Sequence, residues 1–240
     1  MQVQSDHAPR TASFHDVIRG FYDRHWQRKL QESPAPHLSP QRRERLVELA
    51  AQYGHPCVAL DIGCGTGIHL EAFSRLPGVK RLIGVDPSPT AVAEARRRLP
   101  SAEIHEALAE HLEPIEDGAC DVVCLCSVME HILDTHQALN EINRVLKPEG
   151  IVVLYTTDMN WLKKVLIAAL CFERYFDVTS GHIRFYTSRS LRKVMEVHGF
   201  RRIHYEWARS YAGLMPQGQH AVYRKLTACH FLPTDERNTV

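Results

Sequence analysis

Three glycines flanked by two acids are the residues of this chain whose types and spacing could do chemistry. A short apolar run ends in Asp61, and Gly63, Gly65 and Gly67 follow at alternate positions. A second apolar run ends in Asp86, at the roughly 20-residue spacing of a nucleotide-binding βαβ unit. Glycine lets the backbone turn tightly and approach a ligand with no Cβ in the way. The carboxylate after the second run would then accept hydrogen bonds from two ribose hydroxyls.

The spacing of the glycines separates two classes of nucleotide-binding enzyme. A dinucleotide oxidoreductase needs the pattern G-x-G-x-x-G, and its third glycine would fall where this chain has Ile68. The pattern found instead resembles motif I of the class I S-adenosylmethionine-dependent methyltransferases. Taken alone, so short a motif is also compatible with an ordinary strand-to-helix turn.

Two further stretches strengthen this resemblance. Residues 121–131 (DVVCLCSVMEH) resemble the fourth strand of these enzymes and the loop after it, and residues 141–150 (EINRVLKPEG) resemble the helix and turn that lead into the fifth strand. The family usually has RVLKPGG in the second stretch, so Glu149 replaces a glycine. The order and spacing of the motifs over residues 45–157 are similar to those of small-molecule methyltransferases of the ubiquinone-biosynthesis type, the methyltransferase type 11 family.

The chain as a whole predicts an α/β protein. Strand-length apolar runs alternate with helix-length segments over residues 57–157, which favours a parallel sheet with crossover helices. The resemblance implies a Rossmann-like sheet of seven strands, mostly parallel, with helices on both faces and an antiparallel last strand beside the fifth. We expect residues 1–40 to form a helical lid or tail and residues 41–240 the methyltransferase domain. Residues 158–187 are long for a connection in such a sheet, and we predict a substrate-side insertion there with a helix at 160–173.

The resemblance also implies S-adenosyl-L-methionine as the cofactor and assigns residues to it. The methionine and ribose parts of the cofactor would lie on the loop residues Gly63, Cys64, Gly65, Thr66 and Gly67. Its amino group would meet Asp61, its ribose would bind Asp86, and its adenine would be flanked by Pro87 and Ser88. Its sulfonium end would be lined by Cys126, Ser127 and Met129. Asp61 and Asp86 have an alternative role as caps of the following turn or helix, since aspartate is also favoured there.

One position departs from the family pattern on the adenine side. The family usually has an acid just after strand three that receives the adenine amino group, and the aligned residue here is Leu108. Adenine recognition is then left to backbone groups near Leu108 and Ala109, or to Glu110 by a shifted path. We expect cofactor binding to survive, because one hydrogen bond contributes only about 0.5–1.5 kcal/mol.

Two histidines are the candidate general bases. His131, in the family's Glu-His pair, could take a proton from a hydroxyl or amine, and His182 is the second candidate. Substrate contacts are predicted for residues of the N-terminal helix and of the insertion, namely Tyr22, Trp26, Trp161, Arg184 and Tyr186. The alternatives are that His131 only orients its loop, that residues 182–186 are a packed loop, and that the N-terminal aromatic residues belong to the core.

Composition narrows the class of partner and the compartment. The 240 residues include 29 basic and 28 acidic side chains, so no electrostatic attraction to nucleic acid is implied. The 7 cysteines show no framework spacing and the 15 histidines form no HExxH motif, so we expect reduced thiols and no metal site. The N-terminus lacks the apolar core of a signal peptide, and the longest apolar run, residues 165–172, is too short to cross a bilayer. These features favour a cytoplasmic enzyme with a small-molecule substrate and no stable membrane insertion.

Three hypotheses for function follow. The leading one is methyl transfer to oxygen, nitrogen or carbon of a small-molecule acceptor by in-line displacement, which requires alignment of nucleophile, methyl and sulfur. Leu108 and Glu149 motivate the second, a cofactor-binding regulatory module without catalysis. The third is a methyltransferase for a lipid-like or macromolecular substrate, in which the apolar residues 161–172 would face that substrate or a second subunit of a homodimer.

Overall fold

Seven strands form one continuous sheet in a computed structural model of the protein. The structure describes residues 14–32, 40–159, 161–170, 172–176, 181–208 and 217–227. The strands are β1 (Val58–Ile62), β2 (Arg81–Asp86), β3 (Glu103–Glu106), β4 (Cys120–Cys126), β5 (Leu146–Thr157), β6 (Phe200–Ala208) and β7 (Gly218–Lys225). The central strands are continuous apolar runs, as expected for strands that are buried on both faces.

The strand order β3-β2-β1-β4-β5-β7-β6 confirms the predicted sheet. The first five strands pair in parallel, whereas β7 runs antiparallel to both β5 and β6. The order reverses between β1 and β4, and ligands of open α/β sheets bind outside the carboxyl ends of the strands at such a point. The topology therefore positions the loops after β1, β2 and β4 around one crevice.

The described helices connect these strands and precede them. They are α1 (Phe14–Glu32), α2 (Pro40–Tyr53), α3 (Ile68–Phe73), α4 (Pro89–Arg98), α5 (Thr135–Val145), α6 (Trp161–Leu170), α7 (Phe172–Tyr175) and α8 (Ser188–Val197), with a 3-10 turn at Met129–His131. Several begin at a side-chain cap: Ser88 accepts from the Ala91 amide, and Thr187 and Ser190 form a reciprocal capping box. None of the described helices is long and apolar enough to span a bilayer.

The core lies on both faces of the sheet, because successive strand residues point in opposite directions. Val123 and Val152 belong to a buried cluster with residues of α5 and α8. Their neighbours Val122 and Val153 belong to a second cluster with residues of α2 and α3. Helices therefore cover both faces, as the Rossmann-like prediction requires.

The helix predicted at 160–173 corresponds to α6 and α7, which lie on either side of Cys171, a residue outside the described part of the chain. One boundary differs from the prediction. Strand β5 begins at Leu146, earlier than predicted, and its register to β4 shifts between Cys120 and Val122. In this irregular start Glu149 adopts a positive φ of 62°, a conformation that glycine adopts without strain. That geometry explains why the family pattern has a glycine at this position.

Candidate active site

A cavity of about 400 Å³ lies at the carboxyl ends of β1, β2 and β4. Its floor includes Gly63, Gly65 and Asp86, and α1 lies across it. The α1 side chains that line it are Ile18, Phe21, Tyr22, His25, Trp26 and Lys29. The volume is within the roughly 300–1,000 Å³ of small-molecule sites, so the cavity is the candidate binding site.

The glycine loop has backbone conformations and close contacts that other residues would not tolerate. Gly63, Gly65 and Gly67 have φ values of 68°, 53° and 81°, in the left-handed region. A Cβ on Gly63 would lie 2.5 Å from Val128 Cγ2, and a Cβ on Gly65 would overlap the Trp26 ring. Gly63 and Gly65 line the cavity, so the loop offers it backbone rather than side chains.

Asp86 joins the glycine loop to the start of α4. Its Oδ2 accepts a hydrogen bond from the Gly65 amide at 2.9 Å, and its Oδ1 accepts one from the Ser88 amide at 2.9 Å. Burial raises the pKa of this carboxyl to about 6. Each carboxylate oxygen retains a second lone pair, so Asp86 can still accept hydrogen bonds from a ligand in the cavity.

Asp61, two residues before the first glycine of the loop, is a buried carboxyl group with only weak polar partners. The side chain is 1% exposed, and neither oxygen has a hydrogen-bond partner among the described residues apart from a weak interaction with the Cys124 thiol. His69 Nδ1 lies 3.7 Å from Asp61 Oδ2. Burial raises the pKa of Asp61 to about 8. A cation that reached this carboxylate would remove an energetic penalty, because unpaired buried charges are costly.

Other residues predicted to bind the cofactor divide into two groups. Cys64, Pro87, Cys126 and Ser127 line the cavity. The residues that do not line it are Asp61, Thr66, Gly67, Ser88 and Met129. Ser88 instead caps α4 and donates to Asp23 Oδ1 at 2.8 Å.

Met129, which was predicted to line the sulfonium end of the cofactor, does not line the cavity. Met129 is fully buried in the core, because the 3-10 turn directs it inward, and Val128 lines the cavity in its place. Ser127, just before this turn, has a positive φ of 56°, which is uncommon for a residue other than glycine. The cofactor role of Met129 is therefore not supported by its position.

The adenine-side segment lines the cavity with Leu108, Ala109 and Glu110. Glu110 Oε1 accepts hydrogen bonds from the amides of Leu133 and Asp134, at 3.0 and 3.2 Å. Glu110 therefore holds the loop before α5, which limits its freedom to take over the missing adenine contact by a shifted path.

The two candidate bases lie side by side at the cavity wall. The ring centroids of His131 and His182 are 4.7 Å apart, and the Tyr22 ring meets His131 edge-on at 5.8 Å. His131 Nδ1 lies 2.7 Å from the carbonyl oxygen of Gly181. Burial lowers the pKa of His131, so its imidazole is neutral at physiological pH. A neutral ring that donates through Nδ1 has a free lone pair on Nε2.

The insertion residues occupy other positions than predicted. Tyr186 is 7% exposed in the core, and its hydroxyl lies 3.3 Å from Thr135 Oγ1. The Arg184 guanidinium donates to the carbonyl of Ile132. Neither residue lines the cavity, so their positions do not support the predicted substrate contacts. The side chain of Trp161 lies outside the described part of the chain.

Sequence reasoning missed several residues that line the cavity. His25 and Lys29 lie one helical turn apart on α1, on the same side as Tyr22. Ile132 and Leu133, which follow the Glu-His pair, also line it. The helical spacing of His25 and Lys29 from Tyr22 indicates that the three share one side of α1. That spacing does not show that this side of the helix faces the cavity.

Known proteins share the central segment of the chain. Residues 60–154 match a family profile described as a methyltransferase domain. An uncharacterized 37.1 kDa protein from a Streptomyces fradiae transposon is 40% identical over 108 residues, which are 43% of this chain and 31% of that protein. A ubiquinone biosynthesis O-methyltransferase of Rhodopseudomonas palustris is 35% identical over 106 residues, which are 42% of this chain and 40% of that enzyme. The matches thus span less than half the length of these curated relatives.

Solved structures share the fold over most of the chain. The 4+2 cyclase SpnF superposes with a TM-score of 0.68 at 18% identity, covering 91% of this chain and 98% of that one. The N-methyltransferase NodS from Bradyrhizobium japonicum, solved with S-adenosyl-L-homocysteine, gives a TM-score of 0.64 at 17% identity, covering 85% of this chain and 97% of that one. At these identities the likeness concerns the fold alone.

The sheet order, together with a glycine loop at its switch point, defines a Rossmann-like α/β protein of the methyltransferase fold. Residues 60–154 form a methyltransferase domain similar to those of the class I S-adenosylmethionine-dependent methyltransferases. The cavity fits the cofactor of that family, because glycine backbone forms its floor and the carboxylates of Asp61 and Asp86 are buried at or beside it. These features confirm the family predicted from the sequence.

Proposed function

We propose that the protein transfers the methyl group of S-adenosyl-L-methionine to a small-molecule acceptor bound beside His131. One observation carries this proposal: the glycine loop, Asp86 and the imidazoles of His131 and His182 line a single cavity. A donor held on the loop and an acceptor held at the imidazoles would then share one enclosed space. The acceptor atom can be oxygen, nitrogen or carbon.

The chain's own residues would hold the cofactor in three places. Asp86 would accept hydrogen bonds from the ribose hydroxyls, and Asp61 would compensate the charge of the amino group. The walls near Leu108 and Ala109 would contact the adenine through backbone and apolar surface. When bound, S-adenosyl-L-methionine supplies an electrophilic methyl carbon on a positively charged sulfur.

His131 would act on the acceptor. Its neutral imidazole is oriented by the Gly181 carbonyl, which leaves Nε2 available to accept a proton from a hydroxyl or amine. Tyr22 and Trp26 on α1 would exclude water, and alignment of donor and acceptor would supply much of the rate enhancement. His182, which is exposed beside it, is the second candidate base.

A comparison of two aspartates tests this proposal. Asp86→Ala should weaken binding of S-adenosyl-L-homocysteine by roughly 10- to 100-fold, since hydrogen bonds to charged groups contribute about 1.5–3 kcal/mol. Asp121→Ala is the matched control, because Asp121 Oδ2 also accepts two backbone amides, those of Cys57 and Val58 at the start of β1. Isothermal titration calorimetry measures the affinity of each variant for S-adenosyl-L-homocysteine. The control Asp121→Ala and the exposed variant Arg97→Ala should bind it as the unmodified protein does. Absence of binding to the unmodified protein, or equal losses in the two aspartate variants, would contradict the proposal.

A second candidate is a cofactor-binding protein that does not transfer the methyl group. The absence of an acid at Leu108 favours it, and the structural neighbour SpnF is named a cyclase. Methyl transfer from labelled cofactor to any member of an acceptor pool, lost in Gly65→Arg, would exclude this candidate.

A lipid-like acceptor is a third candidate. Apolar side chains on α6 and α7 face solvent, with Val165 57% exposed, Leu170 77% and Phe172 52%. The acceptor pool used in the methyl-transfer assay should therefore contain apolar acceptors as well as water-soluble phenols and amines. We also propose a cytoplasmic location, because the five cysteines described in the structure are free thiols.

A further inference from the structure

Three side chains with metal-binding atoms, Glu130, His131 and His182, meet beside the cavity, and the two histidines line it. One nitrogen from each of His131 and His182 and one carboxylate oxygen of Glu130 all lie within 4.8 Å of one another. We propose that these three residues bind a divalent transition-metal ion such as Zn²⁺, with coordination positions left open to the cavity. Two histidines and one carboxylate are a recurrent ligand set for such ions.

Glu130 provides the first argument. The side chain is 1% exposed, and its Oε2 accepts a hydrogen bond from Thr156 Oγ1 at 2.8 Å. Its Oε1 has no hydrogen-bond partner among the described residues. A buried carboxylate oxygen without a partner is costly, and a bound cation would compensate it.

The groups around the ligand atoms provide the second argument. Histidines that bind metals usually donate their other ring N–H to a carbonyl or carboxylate, and carboxylate ligands are themselves hydrogen-bonded. His131 Nδ1 lies 2.7 Å from the Gly181 carbonyl, and Glu130 is held by Thr156. Both features of a supported metal site are therefore present.

The attachment of His182 provides the third argument. The amides of Ile183 and Arg184 donate to the Glu130 carbonyl at 3.0 and 3.2 Å, so this loop is fixed to the Glu130–His131 turn. Zinc bonds of about 2.0–2.2 Å would place neighbouring ligand atoms about 3.3 Å apart. The three ligand atoms already lie within 4.8 Å of one another, so an ion would need only small side-chain movements to draw them together. Lys29, which also lines the cavity, disfavours a second positive charge, so ligand bonds rather than long-range attraction must hold the ion.

The chemical consequence rests on the proposed function, whereas metal binding itself does not. A metal ion in this position would bind an acceptor hydroxyl and lower its pKa, so the acceptor would lose its proton to solvent more readily. His131 Nε2 would then be a ligand rather than a proton acceptor.

Metal titration of the full chain tests the proposal. We expect one equivalent of Zn²⁺ to bind by calorimetry, one equivalent of Co²⁺ to give visible absorption bands, and Mg²⁺ to bind much more weakly. His182→Ala and His131→Ala should each reduce affinity at least about 10-fold, and Thr156→Val should reduce it by roughly 10- to 100-fold through the support of Glu130. The matched control is His136→Ala, because the exposed His136 also lies beside a second histidine, with its Nδ1 3.2 Å from His198 Nε2.

Two results would overturn the proposal: no binding of Zn²⁺ and Co²⁺, or binding that His182→Ala and His136→Ala weaken equally. Thermal unfolding with and without Zn²⁺ separates these effects from misfolding, because only chains with the intact ligand set should be stabilised by the ion. Failure of S-adenosyl-L-homocysteine to bind while Co²⁺ binds would refute the proposed function and leave the metal site standing.

Discussion

At the scale of single residues, the site depends on two buried carboxylates with different surroundings. Asp86 accepts hydrogen bonds from two backbone amides, whereas Asp61 has only the weak interaction with a thiol. Burial raises both pKa values, to about 6 for Asp86 and about 8 for Asp61. At neutral pH Asp61 is therefore mostly protonated, and it would ionise only when a cation compensates it.

This difference predicts proton release when the cofactor product binds. At pH 7 the amino group of S-adenosyl-L-homocysteine is positively charged, so its approach should ionise Asp61 and release about one proton per ligand. Calorimetry in two buffers with different ionisation enthalpies measures this number. Asp61→Asn should release none, whereas the control Asp121→Asn should behave as the unmodified chain does. Equal proton release by Asp61→Asn and the unmodified chain would show that Asp61 does not meet the amino group.

At the scale of elements, α1 determines how the cavity is closed. It is attached to α4 by Asp23, whose Oδ1 accepts hydrogen bonds from Ser88 Oγ at 2.8 Å and from the Thr90 amide at 2.9 Å. Trp26 lies against Gly65 so closely that a Cβ on the glycine would overlap its ring. A ligand on the glycine loop must therefore contact or displace this indole.

Tryptophan fluorescence tests the position of α1. Binding of S-adenosyl-L-homocysteine should change the emission of the protein, because the surroundings of Trp26 change. Trp26→Phe should remove most of that change. Trp207→Phe should retain it, since Trp207 is 59% exposed on β6 and does not line the cavity. A full change in Trp26→Phe would show that α1 does not cover the bound ligand.

At the scale of the whole molecule, a polar network joins α2 to the antiparallel edge of the sheet. Arg45 donates to both carboxylate oxygens of Glu206, at 2.6 and 2.8 Å, and His204 Nε2 lies 3.2 Å from Glu206 Oε2. His220 on β7 is 5% exposed, packs on Tyr155 and has its Nδ1 3.5 Å from Glu206 Oε1. Burial lowers the pKa of His220 to about 4; the Glu206 charge opposes this shift, and Arg45, Arg42 and His204 add to it.

The low pKa of His220 makes stability depend on pH with a definite sign. An unfolded histidine binds a proton near pH 6.5, whereas His220 in the folded chain does so only near pH 4. Between these values the unfolded state binds more protons, so stability falls as pH falls. Asp61 and Asp86 act in the opposite direction, because their raised pKa values let the folded state bind protons first. The difference in the free energy of unfolding between His220→Gln and the unmodified chain therefore isolates the effect of His220.

Urea unfolding at pH 7 and pH 5 measures that difference. The free energy of unfolding of His220→Gln, relative to the unmodified chain, should increase by about 1–2 kcal/mol on going from pH 7 to pH 5. His111→Gln, which replaces a histidine whose side chain is 43% exposed, should show no such change. A constant difference between His220→Gln and the unmodified chain would contradict the prediction.

The sequence by itself determined the family, the sheet, the glycine loop and Asp86. These features depend on local physics: glycines that adopt positive φ, apolar runs of strand length, and caps such as Ser88 at the start of a helix. The sequence also contained the signal for the irregular start of β5 in Glu149, although its backbone geometry became visible only in the fold.

Only the tertiary structure decided which distant side chains share the cavity. It brought α1 over the loop, placed His182 beside His131 and Glu130, and buried Tyr186 and Met129 away from the site. Periodicity along the chain shows which side of a helix is apolar but not what that side contacts, and a loop such as 181–184 has no period at all. Contacts between residues far apart in sequence depend on how whole elements pack, which is why the glycine loop and Asp86 could be predicted from the sequence and the opposite wall of the cavity could not.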